Sequence, residues 1–206
     1  LRTGRALGYP VMGESCVQYF HITRDHHLGA PGFEGAKYVC SPPVRNEEHH
    51  AVLWQALRDH TLQVVSTDHC DFWYEGGVGP WQEWSKAHNG GNWVEYEAQD
   101  PTYRRPGKEL GKGNFSTIPN GLPAIEDRMM VMWHLGVNGG HISPQRFVEL
   151  LCTNPARIFG MYPRKGALVV GADADIVVWD PAKTHTLSAA TQHMRCDYTL
   201  FEGMEV

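Results

Sequence analysis

Asp68 closes the run Leu62-Gln63-Val64-Val65-Ser66-Thr67-Asp68-His69-Cys70, where a short apolar stretch gives way to a carboxylate flanked by a hydroxyl, an imidazole and a thiol. A carboxylate at such a point can take a proton from water and return it to a leaving group. It can also simply cap a strand-to-loop turn, which on composition alone is the commoner case. His69 and Cys70 beside it lack the spacing of metal ligands and read as support or packing around the acid. Elsewhere, His21, His26, His27 and the pair His49-His50 look like ligand stock, yet no His-x-His or His-x-x-x-His pattern occurs in the chain. Most of these histidines are therefore expected to be solvated.

The elements around Asp68 suit a catalytic position. Asn46-Glu47-Glu48 has the form of a helix start, a cap residue followed by two acids at the positive end of the helix dipole. Leu53, Trp54 and Leu57 then recur at helical spacing, so a helix near 46–58 leads into a strand near 62–66. That strand delivers Asp68 at its carboxyl end, where barrels and open α/β sheets place their chemistry. Within residues 8–23, Gly8-Tyr9-Pro10-Val11-Met12-Gly13-Glu14 reads as an earlier strand, followed by a polar, histidine-rich loop.

Beyond Asn120-Gly121 the pattern predicts a helix from Ala124 to Leu135 with Glu126 and Asp127 in its first turn. Ser143-Pro144 is a cap followed by proline at the first helical position, and it opens a third helix with Phe147, Val148, Leu150 and Leu151 on its apolar side. Asn154-Pro155 repeats the device, and Gly160 is placed to end that helix. Ala167-Leu168-Val169-Val170 and Ile176-Val177-Val178-Trp179 are β-like runs around Gly171-Ala172-Asp173-Ala174-Asp175, a hairpin signal.

Six ordered words carry a family resemblance. Gly13-Glu14-Ser15-Cys16-Val17-Gln18-Tyr19, Glu34-Gly35-Ala36-Lys37-Tyr38-Val39-Cys40-Ser41-Pro42-Pro43-Val44-Arg45 and Thr67-Asp68-His69-Cys70 come first. Ile118-Pro119-Asn120-Gly121-Leu122-Pro123-Ala124-Ile125-Glu126-Asp127-Arg128, Thr153-Asn154-Pro155-Ala156-Arg157-Ile158-Phe159-Gly160 and Gly171-Ala172-Asp173-Ala174-Asp175-Ile176-Val177 follow in order. Together they resemble the dihydropyrimidinase and D-hydantoinase branch of the cyclic amidohydrolases. The resemblance covers nearly the whole chain except about residues 72–113.

The fold this resemblance implies is α/β: the C-terminal part of a TIM-type (β/α)8 amidohydrolase barrel over residues 1–160, followed by part of a small β-sandwich over 161–206. A complete barrel needs roughly 250 residues, so 206 residues read as the carboxyl-terminal part of a longer enzyme, clipped at both ends. The implied activity is metal-dependent hydrolysis of the cyclic amide bond in hydantoin or dihydropyrimidine rings. Asp68 is then both a ligand to one of two divalent ions, zinc by family habit, and the proton shuttle. Ser41 and Asn120 match the positions that bind the cyclic imide or ureide, largely through main-chain groups. The family's remaining ligands belong to barrel strands that precede Leu1, so the chain alone is expected to be inactive. A non-enzymatic scaffold related to dihydropyrimidinase is the rival from another class, and dihydroorotase and allantoinase are rivals among enzymes.

Composition narrows the partners. A net charge of −5 and no basic stripe exclude nucleic-acid binding as a default, and no run of about 18 apolar residues suggests a membrane span. Five cysteines at irregular spacing, without a Cys-x-x-Cys pair, argue against a disulfide scaffold and for a reducing cytoplasm. The complete enzyme is expected to be a homo-oligomer, a dimer or tetramer. Four of seven tryptophans fall at Trp73, Trp81, Trp84 and Trp93. The segment that holds them, Phe72 to Gly113, is expected to fold over the barrel mouth and shape a pocket for a ring substituent, or to pack against a neighbouring subunit.

Overall fold

The computed structural model describes residues 1–75, 107–194 and 196–206. The aromatic segment's central part, with Trp81, Trp84 and Trp93, lies outside the described residues. A five-residue helix, α1 (Arg2–Ala6), precedes two short parallel strands, β1 (Glu14–Cys16) and β2 (Val64–Ser66). These pair in the register Glu14↔Val64, Ser15↔Val65, Cys16↔Ser66. A parallel pair needs a crossover connection, and here the crossover carries α2 (Glu48–Arg58).

The first strand sits later in its segment than the apolar run 8–14 suggests. Gly13 explains the shift: its carbonyl accepts the Gln63 and Val64 N–H groups at 2.8 and 3.3 Å, so the ladder begins only there. Residues before it are held by Arg5, which donates to the carbonyls of Val11, His60 and Thr61 at 2.8, 2.6 and 2.7 Å. A side chain at Gly13 would meet the Thr61 carbonyl at 2.9 Å, which is why the approach requires glycine.

The second helix starts at Glu48, and the Asn46 side chain does not cap it. It buries Trp54 and Leu57, with the Trp54 ring 4.7 Å from Phe20 and stacked 4.6 Å from His141. The helix expected from Ala124 begins instead at Arg128, as α3 (Arg128–Val131), and widens into π-type turns over Met132–Asn138. Asp127, expected in the first turn, precedes the helix instead; it is buried and accepts hydrogen bonds from Gln192 Nε2 and, at 2.5 Å, Thr199 Oγ1.

Ser143 caps α4 (Pro144–Val148), its hydroxyl accepting the Arg146 N–H at 3.1 Å, with Pro144 in the first turn as the sequence suggests. The helix continues through wider turns over Glu149–Thr153 into α5 (Asn154–Ile158). Phe147, Leu150 and Leu151 are buried, but Val148 faces outward. Asn154 caps nothing; its Nδ2 donates to the Gln63 carbonyl at 2.9 Å and ties the helix to the entry of β2. Gly160 adopts a φ of 69° and ends the helix as expected.

Arg146 is buried beneath the crossover. Its guanidinium donates to the carbonyls of Leu57 and Leu62, both at 2.8 Å, and pairs with Glu149 at 2.5 Å. The end of α2 and the start of β2 are thereby fixed to α4.

The runs 167–170 and 176–179 form no hairpin. Both are extended or turning chain without strand pairing, and Leu168, Val169, Val170, Ile176, Val177 and Val178 are exposed. A continuous run of β-branched residues favours a strand only where a neighbour can accept its hydrogen bonds. After them the chain returns to the core: Leu187, Cys196, Tyr198, Leu200 and Phe201 are buried in the same cluster as Val65 and Leu122. Residues 185–187 pair with 204–206 through a short antiparallel contact.

Candidate active site

Asp68 follows β2 by two residues and holds a φ of 48°, in the left-handed region. Aspartate tolerates that conformation better than most residues, and it turns the chain sharply out of the strand. The Asp68 side chain is exposed, while Val65, three residues earlier, is fully buried. Next to it, the Thr67 hydroxyl accepts the His69 N–H at 3.2 Å.

The two residues after Asp68 fasten this strand end to the Asn120 loop. His69 forms a parallel bridge with Leu122, the Cys70 N–H donates to the Leu122 carbonyl at 3.1 Å, and His69 Nδ1 accepts the Ala124 N–H at 3.2 Å. His69 thus joins the two segments through both its main chain and its ring.

Ser41 and Asn120, 79 positions apart in sequence, are brought together: Ser41 Oγ donates to Asn120 Oδ1 at 3.4 Å, and the Gly121 N–H donates to the Val39 carbonyl at 3.2 Å. Among the described residues, no hydrogen bond engages the main-chain N–H or C=O of Ser41 or of Asn120. Both residues are exposed. Two exposed residues whose main-chain groups have no partner among the described residues could pair with a ligand that carries its own donors and acceptors.

Lys108 is a residue that sequence reasoning missed. It is fully buried, and its Nζ donates to the carbonyls of Val39, Pro119 and Gly121 at 3.1, 2.6 and 2.8 Å. Burial pushes this ammonium down to about 8, although the thiols of Cys40, Cys196 and Cys70 act in the opposite direction. The Lys108 N–H also donates to the Trp73 carbonyl at 2.6 Å and the Glu109 N–H to that of Tyr74 at 3.2 Å. A lysine in a loop-like stretch with no periodicity carried no signal for this role.

Tyr19 braces the segment that carries Ser41 by donating to the Pro42 carbonyl at 2.6 Å. Burial pushes its phenol well up, with Cys40, Cys16 and Asp68 adding to the effect. Burial likewise raises the Cys16 thiol, which lies 3.3 Å from Ser66 Oγ and also feels Asp68. Asp68, Tyr19, Cys16 and Cys40 thus share one electrostatic neighbourhood.

The histidines divide differently from expectation. His26 and His49 are exposed, but His21 and His27 are half-buried, with ring centroids 5.5 Å apart. Burial, then His27, His50 and His134, pushes His21 down to about 4. Its ring packs 6.0 Å from Phe201, an aromatic contact and not a ligand geometry. Among the described residues, no group of three or more His, Cys, Asp or Glu side chains could hold a metal ion. Among the described residues, Asp68 is one carboxylate without companion ligands, and these residues do not by themselves fit a divalent centre.

A family model described as the amidohydrolase family matches residues 19–206. The chain is 45% identical over 206 residues to a D-hydantoinase of Streptomyces coelicolor, covering 100% of this chain and 37% of that protein. It is 41% identical over 202 residues to a D-hydantoinase of Geobacillus stearothermophilus, covering 98% and 36%. Among solved structures, a dihydropyrimidinase from Brevibacillus agri matches with a TM-score of 0.81 at 42% identity, over 100% of this chain and 38% of that one. The chain spans little more than a third of the length of these relatives. Their likeness gives the fold as an α/β part of the TIM-barrel type of amidohydrolase. The chain belongs to the amidohydrolase family, and it is similar along its whole length to D-hydantoinases and dihydropyrimidinases.

Proposed function

We propose that the whole protein containing this chain hydrolyses the cyclic amide bond of hydantoin or dihydropyrimidine rings. The observation that carries this reading is the unengaged main-chain pair at Ser41 and Asn120, tied through Leu122 and Ala124 to the strand end that presents Asp68. In this reading the Ser41 and Asn120 main chains hold the ring's amide edge. Asp68 accepts the proton of the attacking water and passes it to the departing ring nitrogen, which leaves badly unless protonated. Names of relatives that join hydantoinase to dihydropyrimidinase support this substrate class.

Members of this family are metal-dependent. We assign Asp68 as one ligand of a two-zinc centre, a role that rests on the Thr67-Asp68-His69-Cys70 word. Residues 1–160 are assigned to the barrel and 161–206 to a β-sandwich portion, a division that rests on the family resemblance. A reducing, cytoplasmic setting is supported by five free thiols, and no helix among the described residues is long and apolar enough to cross a membrane. Assembly as a homo-oligomer completes the proposal.

The test is a substrate panel on the full-length protein: hydantoin, dihydrouracil, dihydroorotate and allantoin, followed by appearance of the ring-opened product. Turnover of the first two at the highest kcat/KM is expected. Preference for dihydroorotate or allantoin moves the protein to those rival activities, and no turnover of any ring overturns the enzymatic reading in favour of a scaffold.

A further inference from the structure

An ammonium group has three N–H donors and no acceptor. Lys108 spends all three on main-chain carbonyls from two separate segments, Val39 on one side and Pro119 and Gly121 on the other. Pro119 and Gly121 bracket Asn120 in sequence, and Val39 lies two residues before Ser41. No carboxylate pairs with Lys108 among the described residues, so the buried charge is compensated there by carbonyl dipoles, with the Phe72 ring 5.7 Å away. Burying a cation in this way is costly unless every donor is matched. A methionine or leucine would fill the same space without that cost, so packing alone does not account for a lysine.

We propose that Lys108 is the positioning residue of the ring-binding cleft: its ammonium draws the 39–41 and 119–121 segments together and occupies their inward carbonyls, leaving the main-chain groups of Ser41 and Asn120 for the substrate. The inference rests on the substrate reading given above and adds a residue that never touches the ring. It acts on how the ring is held, and not on the proton transfer assigned to Asp68. Arg146 supplies the contrast. It too is a buried cation bonded to two carbonyls, those of Leu57 and Leu62, but these lie at the α2-to-β2 connection and not at the cleft.

The experiment compares Lys108→Met with Arg146→Met in the full-length protein, measuring kcat and KM for hydantoin together with the thermal midpoint. Lys108→Met is expected to raise KM by about tenfold or more while kcat stays within about threefold, the signature of lost binding. Arg146→Met is expected to lower the thermal midpoint with KM within about twofold of the parent. If Lys108→Met does not fold, Lys108→Gln, which keeps two N–H donors, carries the test with an intermediate rise in KM. A folded Lys108 variant with the parental KM, or an equal KM rise in Arg146→Met, overturns the inference alone. A parent that opens neither hydantoin nor dihydrouracil overturns the substrate reading first and the inference with it.

Discussion

His69 Nδ1 accepts the main-chain N–H of Ala124 at 3.2 Å, which makes Nδ1 the unprotonated nitrogen and leaves the ring proton on Nε2, 3.4 Å from Asp71 Oδ1. A single imidazole thus joins the segment that carries Asp68 to the segment that carries Asn120. With the Cys70-to-Leu122 main-chain bond, it holds the strand end that carries Asp68 against the loop that carries Asn120.

Asp68→Asn in the full-length protein is expected to lower kcat/KM by roughly a hundredfold or more, because the amide cannot accept the proton. Asparagine tolerates the left-handed φ of 48° as aspartate does, so the thermal midpoint should stay close to the parent's. Asp68→Gly, which relieves the backbone, should be no less stable and equally inactive. Steady-state kinetics beside thermal unfolding check both, and parental turnover in either variant removes Asp68 from the chemistry.

Gly121→Ala is expected to open the cleft. A Cβ there would lie 2.2 Å from the Cys70 carbonyl and 2.8 Å from the Phe72 ring, and the carbonyl belongs to backbone that cannot swing aside. Overpacking of this kind costs about 1–3 kcal/mol, and here it should also raise KM by spreading Asn120 from Ser41. At Gly113 nothing lies within 4 Å, so alanine there meets only the cost of its positive φ and should leave KM unchanged. Urea unfolding and hydantoin kinetics on the two variants decide the matter.

Asp127 makes the stability of the fold depend on acidity in an unusual sense. Burial pushes its carboxyl up to about 6, despite the opposing hydrogen bond from Thr199 and with Glu126 and Glu202 adding to the rise. The folded state therefore holds a proton more tightly than the unfolded chain, whose aspartate titrates near 3.8. Between about pH 4 and pH 6 the folded state binds more protons, so this group's contribution to stability falls as pH rises. It is most favourable below that window and fully lost above it. Asp127→Asn should remove the slope, so the parent-minus-variant difference in unfolding free energy should fall by roughly 2–3 kcal/mol across the window. A pH-independent difference in urea titrations at pH 4 and 6.5 contradicts this account.

Much of the frame around Asp68 was legible because its signals are local. Apolar periodicity marks α2 and β2, Ser143-Pro144 marks α4, and Gly160 marks the end of α5. Asn154 has the form of a cap and Asp127 that of a first-turn acid, but both bond to distant chain, which no local pattern reveals, and Asn46 stands one residue too early to cap a helix that starts at Glu48. The pattern at 167–179 describes strands whose pairing depends on neighbours, and none is present among the described residues. Ser41 and Asn120 were found through family likeness, and their contact across 79 positions has no local signature. Lys108 was missed because a buried lysine and a solvated one look the same in a sequence.

The two ends of the aromatic excursion lie side by side. Trp73 bridges Gly107, the Trp73 and Tyr74 carbonyls accept the N–H groups of Lys108 and Glu109, and Asp197 accepts those of Tyr74 and Glu75 at 2.7 and 2.9 Å. Where entry and exit are already joined, closing a loop twice as long costs only about 0.6 kcal/mol more. The junction itself is made by residues 73–75, 107–109 and 197 alone. Such a junction is a natural seam for recombination: insertions, deletions and whole exchanges between relatives can be sampled there while the acid, the ring-binding edge and the buried lysine stay where they are.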